Sequence, residues 1–300
     1  MAIKQVRAQV NGQWYTLTLQ ENGRYEASIT APGATSFNQP GGYYNVTVEA
    51  TNTAGTAGTA DAGTLDGLKL YVKETVPPVI TILSPSSGAY VTNNKQPVVF
   101  TITDEAGGSG VKLDSVVVKL DGAPVSAGEV THSAISNGYS FTYTPASPLG
   151  DGSRTVTVDA TDNDGNAAAQ KSTTFKVDTI PPVLNITSPT EGMITSTAAL
   201  TVSGTTNDAT SSPVTVKISL NGTDQGAVTV GGDGAFSKAV TLKEGANVIV
   251  VTATDAAGKS SSVTRNVTLD TSVPQIVSAT ITPNPVDAGQ TMLISVEVSG

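Results

Sequence analysis

Short runs in which apolar and polar residues alternate fill the chain from end to end, separated by Asn-Gly, Asp-Gly and other glycine-containing turns. Ile3-Lys-Gln-Val-Arg-Ala-Gln-Val10 leads through Asn11-Gly12 into Trp14-Tyr-Thr-Leu-Thr-Leu19. Asn-Gly between two alternating runs is the strongest short-range hairpin signal, because both turn positions need positive φ. A second Asn22-Gly23 precedes Arg24-Tyr-Glu-Ala-Ser-Ile29, and the runs Tyr43 to Ala50 and Leu68 to Val72 follow. The same texture recurs in Val79 to Leu83, Val98 to Ile102, Ser115 to Leu120, Tyr139 to Tyr143, Arg154 to Val158 and Thr173 to Val177. It recurs again in Val183 to Ile186, Leu200 to Ser203, Val214 to Leu220, Ala235 to Val240, Asn247 to Val251 and Ser262 to Val267. The period is two, that of a strand with one buried face, and no segment sustains the 3.6 period of an amphipathic helix. The chain is therefore expected to be all-β.

Two phrases repeat in fixed order. A joint phrase reads Glu74-Thr-Val-Pro-Pro78, Asp178-Thr-Ile-Pro-Pro182 and Asp270-Thr-Ser-Val-Pro274, and each copy is preceded by a turn phrase ending Asn52-Thr-Ala-Gly55, Asp162-Asn-Asp-Gly165 or Asp255-Ala-Ala-Gly258. In the turn phrase a small polar residue opens a four-residue hairpin and the glycine takes its left-handed position. In the joint, proline removes a backbone donor and holds the residue before it extended, which makes a short, stiff connector into a new edge strand. The joints lie 104 and then 92 residues apart, the size of an immunoglobulin-like β-sandwich. The expected division is 1–75, 76–178, 179–270 and a remnant 271–300, with tandem domains in an elongated rod. Two strands cannot close a core, so the remnant reads as a truncated fourth repeat, a pair that docks on a neighbour, or a segment completed by another chain.

A net charge of -9 without clusters of Lys and Arg argues against nucleic acid and against an anionic membrane. The absence of cysteine removes disulfides and thiolate chemistry together. The start Met1-Ala-Ile-Lys-Gln-Val-Arg carries no apolar core of a secretory signal, and no stretch of 18 apolar residues occurs anywhere. The expectation is a virion or cell-surface protein that leaves the cell by another route, such as lysis, or a fragment of a longer one.

The run Pro181-Pro-Val-Leu-Asn-Ile-Thr-Ser-Pro189, with Val202-Ser-Gly204, Leu220-Asn-Gly222, Gly234-Ala-Phe236, Leu242 to Ile249 and Ala253-Thr-Asp255-Ala-Ala-Gly258, resembles the bacterial Ig-like repeats related to the glucodextranase B domain. The segment 76–178 resembles the same broad class, with an insertion around Ala106 to Gly110. The resemblance implies spacers and adhesive rods of surface proteins, accessory domains of polysaccharide-active enzymes, or decorations of phage tails and capsids. The first domain lacks these markers, and its start resembles that of Ig-like phage virion proteins. It implies a phage tail or other virion component, with a bacterial adhesin fragment or enzyme accessory region as alternatives.

Three chemistries can be weighed on the residues. His132 is the lone histidine and sits in what reads as a polar loop without a nucleophile motif, so no catalytic residues are expected. Asp162, Asp164, Asp178, Asp255 and Asp270 crowd the turns and joints, and hard oxygen ligands grouped in this way suit Ca²⁺. Some adhesins that the pattern resembles place calcium there. The competing reading is that these acids only cap turns. Seven of the 14 aromatic residues lie in the first domain, and alternation sends Trp14 and Tyr15, like Tyr43 and Tyr44, to opposite faces. One of each pair is expected to meet a glycan or another virion or surface protein.

Overall fold

The computed structural model describes residues 1–300 and contains strands joined by turns and four short 3₁₀ segments. It forms two compact units, Met1–Val177 and Asp178–Gly300.

In the first unit, residues 1–72 build a five-stranded sheet in the order Tyr25–Glu26, Gln13–Leu19, Ile3–Val10, Thr47–Asn52, Ala57–Ala60, with a separate pair Tyr44–Asn45 and Lys69–Leu70. The Asn11-Gly12 hairpin forms in the expected register, Val10 opposite Gln13, with φ of 47° and 79° at its turn residues. The run Tyr43 to Ala50 does not form one strand. It divides into Tyr44–Asn45 and Thr47–Asn52, which belong to different sheets. The core of this domain is thin: Val6, Ala8, Val10, Tyr44 and Ala62 are its buried apolar residues.

The remainder of the unit is a two-layer sandwich. One sheet orders Val130–Ile135, Gly138–Tyr143, Val98–Thr103, Val79–Ser84, and the other Ala123–Pro124, Val117–Leu120, Gly152–Asp159, Lys171–Val177, Tyr90–Val91. Val98, Phe100 and Ile102 alternate inward and are wholly buried, and they meet Val156, Val158, Phe175 and Val177 from the facing sheet. Phe100 and Phe141 are cross-strand partners whose rings stack at 5.1 Å, an arrangement that adds to the burial of both. Gly138 is required where it stands, since a Cβ there would lie 2.1 Å from the Ile102 carbonyl oxygen. His132 is on the strand Val130–Ile135 and not in a loop. The turn before Gly138 folds that strand onto its neighbour, and the His132 ring meets Tyr139 and Phe141, each at 5.6 Å.

The second unit repeats the design. A three-stranded sheet (Val183–Ser188, Ala199–Asn207, Ala235–Thr241) faces a five-stranded one (Met193–Thr195, Ser260–Leu269, Gly245–Thr254, Thr215–Leu220, Thr223–Asp224) across a core that contains Val202, Ile218, Ile249 and Val251. The strands Gln275–Thr282 and Leu293–Ser299 then pair with each other alone, and every residue in them is exposed.

Candidate metal centres and contact surface

The turn phrases place their acids by simple hydrogen bonding. Asp255 Oδ1 accepts from the Lys259 amide at 2.9 Å, and Asp162 Oδ1 accepts from the amides of Gly165 and Asn166 at 2.6 and 2.8 Å. Gly165 and Gly258 take the left-handed conformation that closes each turn. The two turns differ one residue later. In the first unit the Asn166 side chain donates to Asp162 Oδ2 at 2.8 Å. In the second unit the matching residue is Lys259, and Asp255 Oδ2 is buried with no partner.

That orphan oxygen belongs to a group. Asp178, Asp208 and Asp255 each offer a carboxylate oxygen, and these lie within 4.8 Å of one another. Asp178 and Asp255 are buried. Other bonds hold these acids in place: the amides of Thr210 and Ser211 donate to Asp208 Oδ1 at 2.8 and 2.7 Å, the Ile180 amide donates to Asp178 Oδ1, and the Ser211 hydroxyl donates to Asp178 Oδ2. Three carboxylates this close repel one another unless a cation or a proton joins them. A hard cation that takes six to eight oxygens fits the donor set, with Asp255 Oδ2 as the unsatisfied ligand atom.

The first unit has a corresponding cluster with different members. Glu74, at the joint, gathers with Asp104 and Glu105 from the loop after Val98–Thr103, their oxygens again within 4.8 Å. Asp104 Oδ1 and Glu105 Oε2 are buried and unpartnered. Burial pushes the Glu105 carboxyl above the ordinary glutamate range, and Asp104 and Glu74 beside it push the same way. Asp162, fully buried nearby, is the opposite case. Burial acts to raise it, but hydrogen bonds from the Asn166 side chain and amide and from the Gly165 amide hold it below the ordinary aspartate range.

The expected ligand set is therefore redistributed. Asp178 and Asp255 come together, with Asp208 as a third member that carries no repeated phrase. Asp162 is in neither group of carboxylates, and Asn166 bonds its second oxygen. Asp164 stitches the first domain to the second: Thr35 Oγ1 donates to its Oδ2 at 2.6 Å and the Glu74 amide at 3.0 Å. Asn38 Nδ2 adds a bond to the Gly108 carbonyl at 2.6 Å. Asp270 is exposed and accepts from the Ser272 hydroxyl and amide, which hold its pKa below the usual value. Asp104 and Asp208, which the sequence reading missed, each directly follow a strand, Val98–Thr103 and Ala199–Asn207.

Trp14 is partly exposed, with the Arg7 guanidinium carbon 4.2 Å from its ring centre, and Tyr15 is half-buried. Tyr44 is buried and donates its hydroxyl to the Ala34 carbonyl at 3.1 Å. Tyr43 remains half-exposed, edge-on to Tyr71 at 6.2 Å, with Lys69 Nζ 5.3 Å from its ring.

Residues 84–179 match the family of bacterial Ig-like domains, and residues 182–271 match the family of glucodextranase domain B. No curated protein matches the chain. Solved structures with similar folds include fibronectin(III)-like modules of Clostridium thermocellum CbhA, 17% identical with a TM-score of 0.38, over 64% of this chain and 94% of that one. Immunoglobulin domains 1 to 4 of Sidekick-1 are 13% identical with a TM-score of 0.38, over 89% and 67%. A 1.5-MDa bacterial ice-binding adhesin is 22% identical with a TM-score of 0.33, over 89% and 86%. The second and third domains are thus tandem bacterial Ig-like sandwiches.

Proposed function

We propose, from that tandem architecture, that the chain is a non-catalytic structural and adhesive module displayed on an outer surface, that of a phage tail or other virion, or of a bacterial cell. The observation that carries this reading is the pair of family-matched sandwiches, each filled by its own side chains. The lone histidine supports it, since its ring lies against Tyr139 and Phe141. The acids gather in clusters whose chemistry is that of cation binding. No helix is long and apolar enough to cross a membrane.

Calcium belongs to the same proposal. Asp178, Asp208 and Asp255 would hold one ion, and Glu74, Asp104 and Glu105 another. The buried, unpartnered oxygens of Asp255, Asp104 and Glu105 support that fit. An ion there would neutralise carboxylates that otherwise repel, and would tie each joint to the loops of the sandwich beside it. Glu74 also accepts from Ser109 Oγ at 3.0 Å, and Ser109 in turn accepts from the Asp164 amide, so the first centre adjoins the bonds that hold the first domain.

Immunogold labelling of intact particles and intact cells of the source tests the display reading. Gold on the outside of either supports it and tells the two surfaces apart. Label confined to the interior of broken cells contradicts it.

A further inference from the structure

Between the Asn11-Gly12 turn and the loop around Pro40, the first domain carries a cleft of about 480 Å³ whose lining includes Gln9, Asn11, Gln39, Tyr43, Asn45 and Asp61. That volume lies within the roughly 300–1,000 Å³ of small-ligand sites. Several polar side chains in its lining keep part of their bonding capacity unused. The Asn45 Oδ1 accepts from the Ala62 amide at 2.9 Å, which leaves its Nδ2 free to donate. Gln9 Nε2 donates to the Gly12 carbonyl at 3.2 Å, which leaves its Oε1 free to accept. Asp61 Oδ1 accepts from the amides of Gly63 and Thr64 at 3.0 and 3.1 Å, which leaves Oδ2 free to accept. In each case one end of the side chain is fixed by backbone and the other is presented, so little further ordering is needed on binding. Gln39 and Asn11 contribute amides without side-chain bonds of their own. The Tyr43 ring forms part of the wall, and Gly41, at φ 78°, leaves room for it: a Cβ there would lie 2.9 Å from the ring.

We propose that this cleft binds a neutral pyranose unit of a glycan. A sugar hydroxyl both donates and accepts, and the cleft sets free donors on Asn45 and Gln39 beside free acceptors on Gln9 and Asp61. The Tyr43 ring in the wall supplies apolar surface against which a sugar's C–H groups pack. The Asp61 carboxylate and a net charge of -9 select against sialic and uronic acids. The inference rests on the reading of the chain as a surface module and names the ligand class of its contact.

The test is a glycan array probed with the full chain, with calcium present, followed by titration of the best neutral oligosaccharide. Asp61→Asn keeps the Oδ1 acceptor that the loop needs but replaces the free acceptor with a donor. It is expected to weaken binding by at least about tenfold, as is Tyr43→Ala, while Leu19→Ala, at an exposed residue outside the cleft lining, leaves binding unchanged. Thermal unfolding of Asp61→Asn is expected to match the parent, which guards against loss of fold in the tyrosine variant. Array signals for anionic glycans only, no neutral glycan bound, or full binding by Asp61→Asn would each overturn the proposal. Outer-surface immunogold label together with a blank array overturns this inference alone, whereas interior label overturns the display reading beneath it.

Discussion

At the scale of single residues, one difference decides how each Ig-like domain treats its turn aspartate. Asn166 supplies an amide to Asp162 and closes its hydrogen bonding, whereas Lys259 leaves Asp255 with a bare oxygen. The turn-capping role of these acids was legible because the phrase repeats and the chemistry is local. The grouping of carboxylates was half legible: Asp178 and Asp255 stand in repeated phrases, but Asp208, Asp104 and Glu105 arrive from loops that have no common wording, and only folding brings them together. Glu105 carries a pH prediction. Its pKa in the fold is raised mainly by burial, so between its unfolded value and that raised value the native state binds more protons than the unfolded state. Stability then falls as pH rises through this window and recovers as pH falls. In chelator, urea midpoints of the first unit are expected to show this slope, and Glu105→Gln is expected to flatten it. An unchanged slope in that variant contradicts the assignment.

At the scale of elements, alternation located the longer strands of the two matched sandwiches that have one face on a dense core, and missed the exposed edge strand Val130–Ile135 and the short ones. The reading failed where the core is thin. Tyr43 to Ala50 looks like one strand, but Tyr44 turns inward to bond Ala34 and pairs with Lys69–Leu70, while Thr47–Asn52 joins the larger sheet. His132 read as loop because its strand, Val130–Ile135, is mostly exposed and lacks an apolar rhythm. The stacked pair Phe100 and Phe141 shows where packing dominates. Phe100 is wholly buried, and Phe100→Ala is expected to cost about 3–5 kcal/mol through lost burial and the cavity left behind. Calorimetry checks this, and a loss below about 1 kcal/mol would mean that the core can collapse around the site.

At the scale of the whole molecule, the chain divides into the units Met1–Val177 and Asp178–Gly300, each with one acidic centre. The joint phrase that spaced the domains in the sequence also delivers Glu74 and Asp178 to those centres. Its third copy delivers Asp270 to an exposed turn outside both. With no cysteine available, no disulfide fastens these joints, and a bound cation would add to the packing and hydrogen bonds already there. An ion present at about 100 times its Kd would add ~2.7 kcal/mol to the unit that binds it. The most direct measurement is calorimetric titration of the chelator-treated full chain with Ca²⁺, alongside Asp255→Asn and Glu105→Gln. The expected result is two ions bound per chain, one at each cluster, with each variant losing one and keeping the other. No binding heat at millimolar calcium, together with unfolding transitions that calcium does not move, would contradict the account.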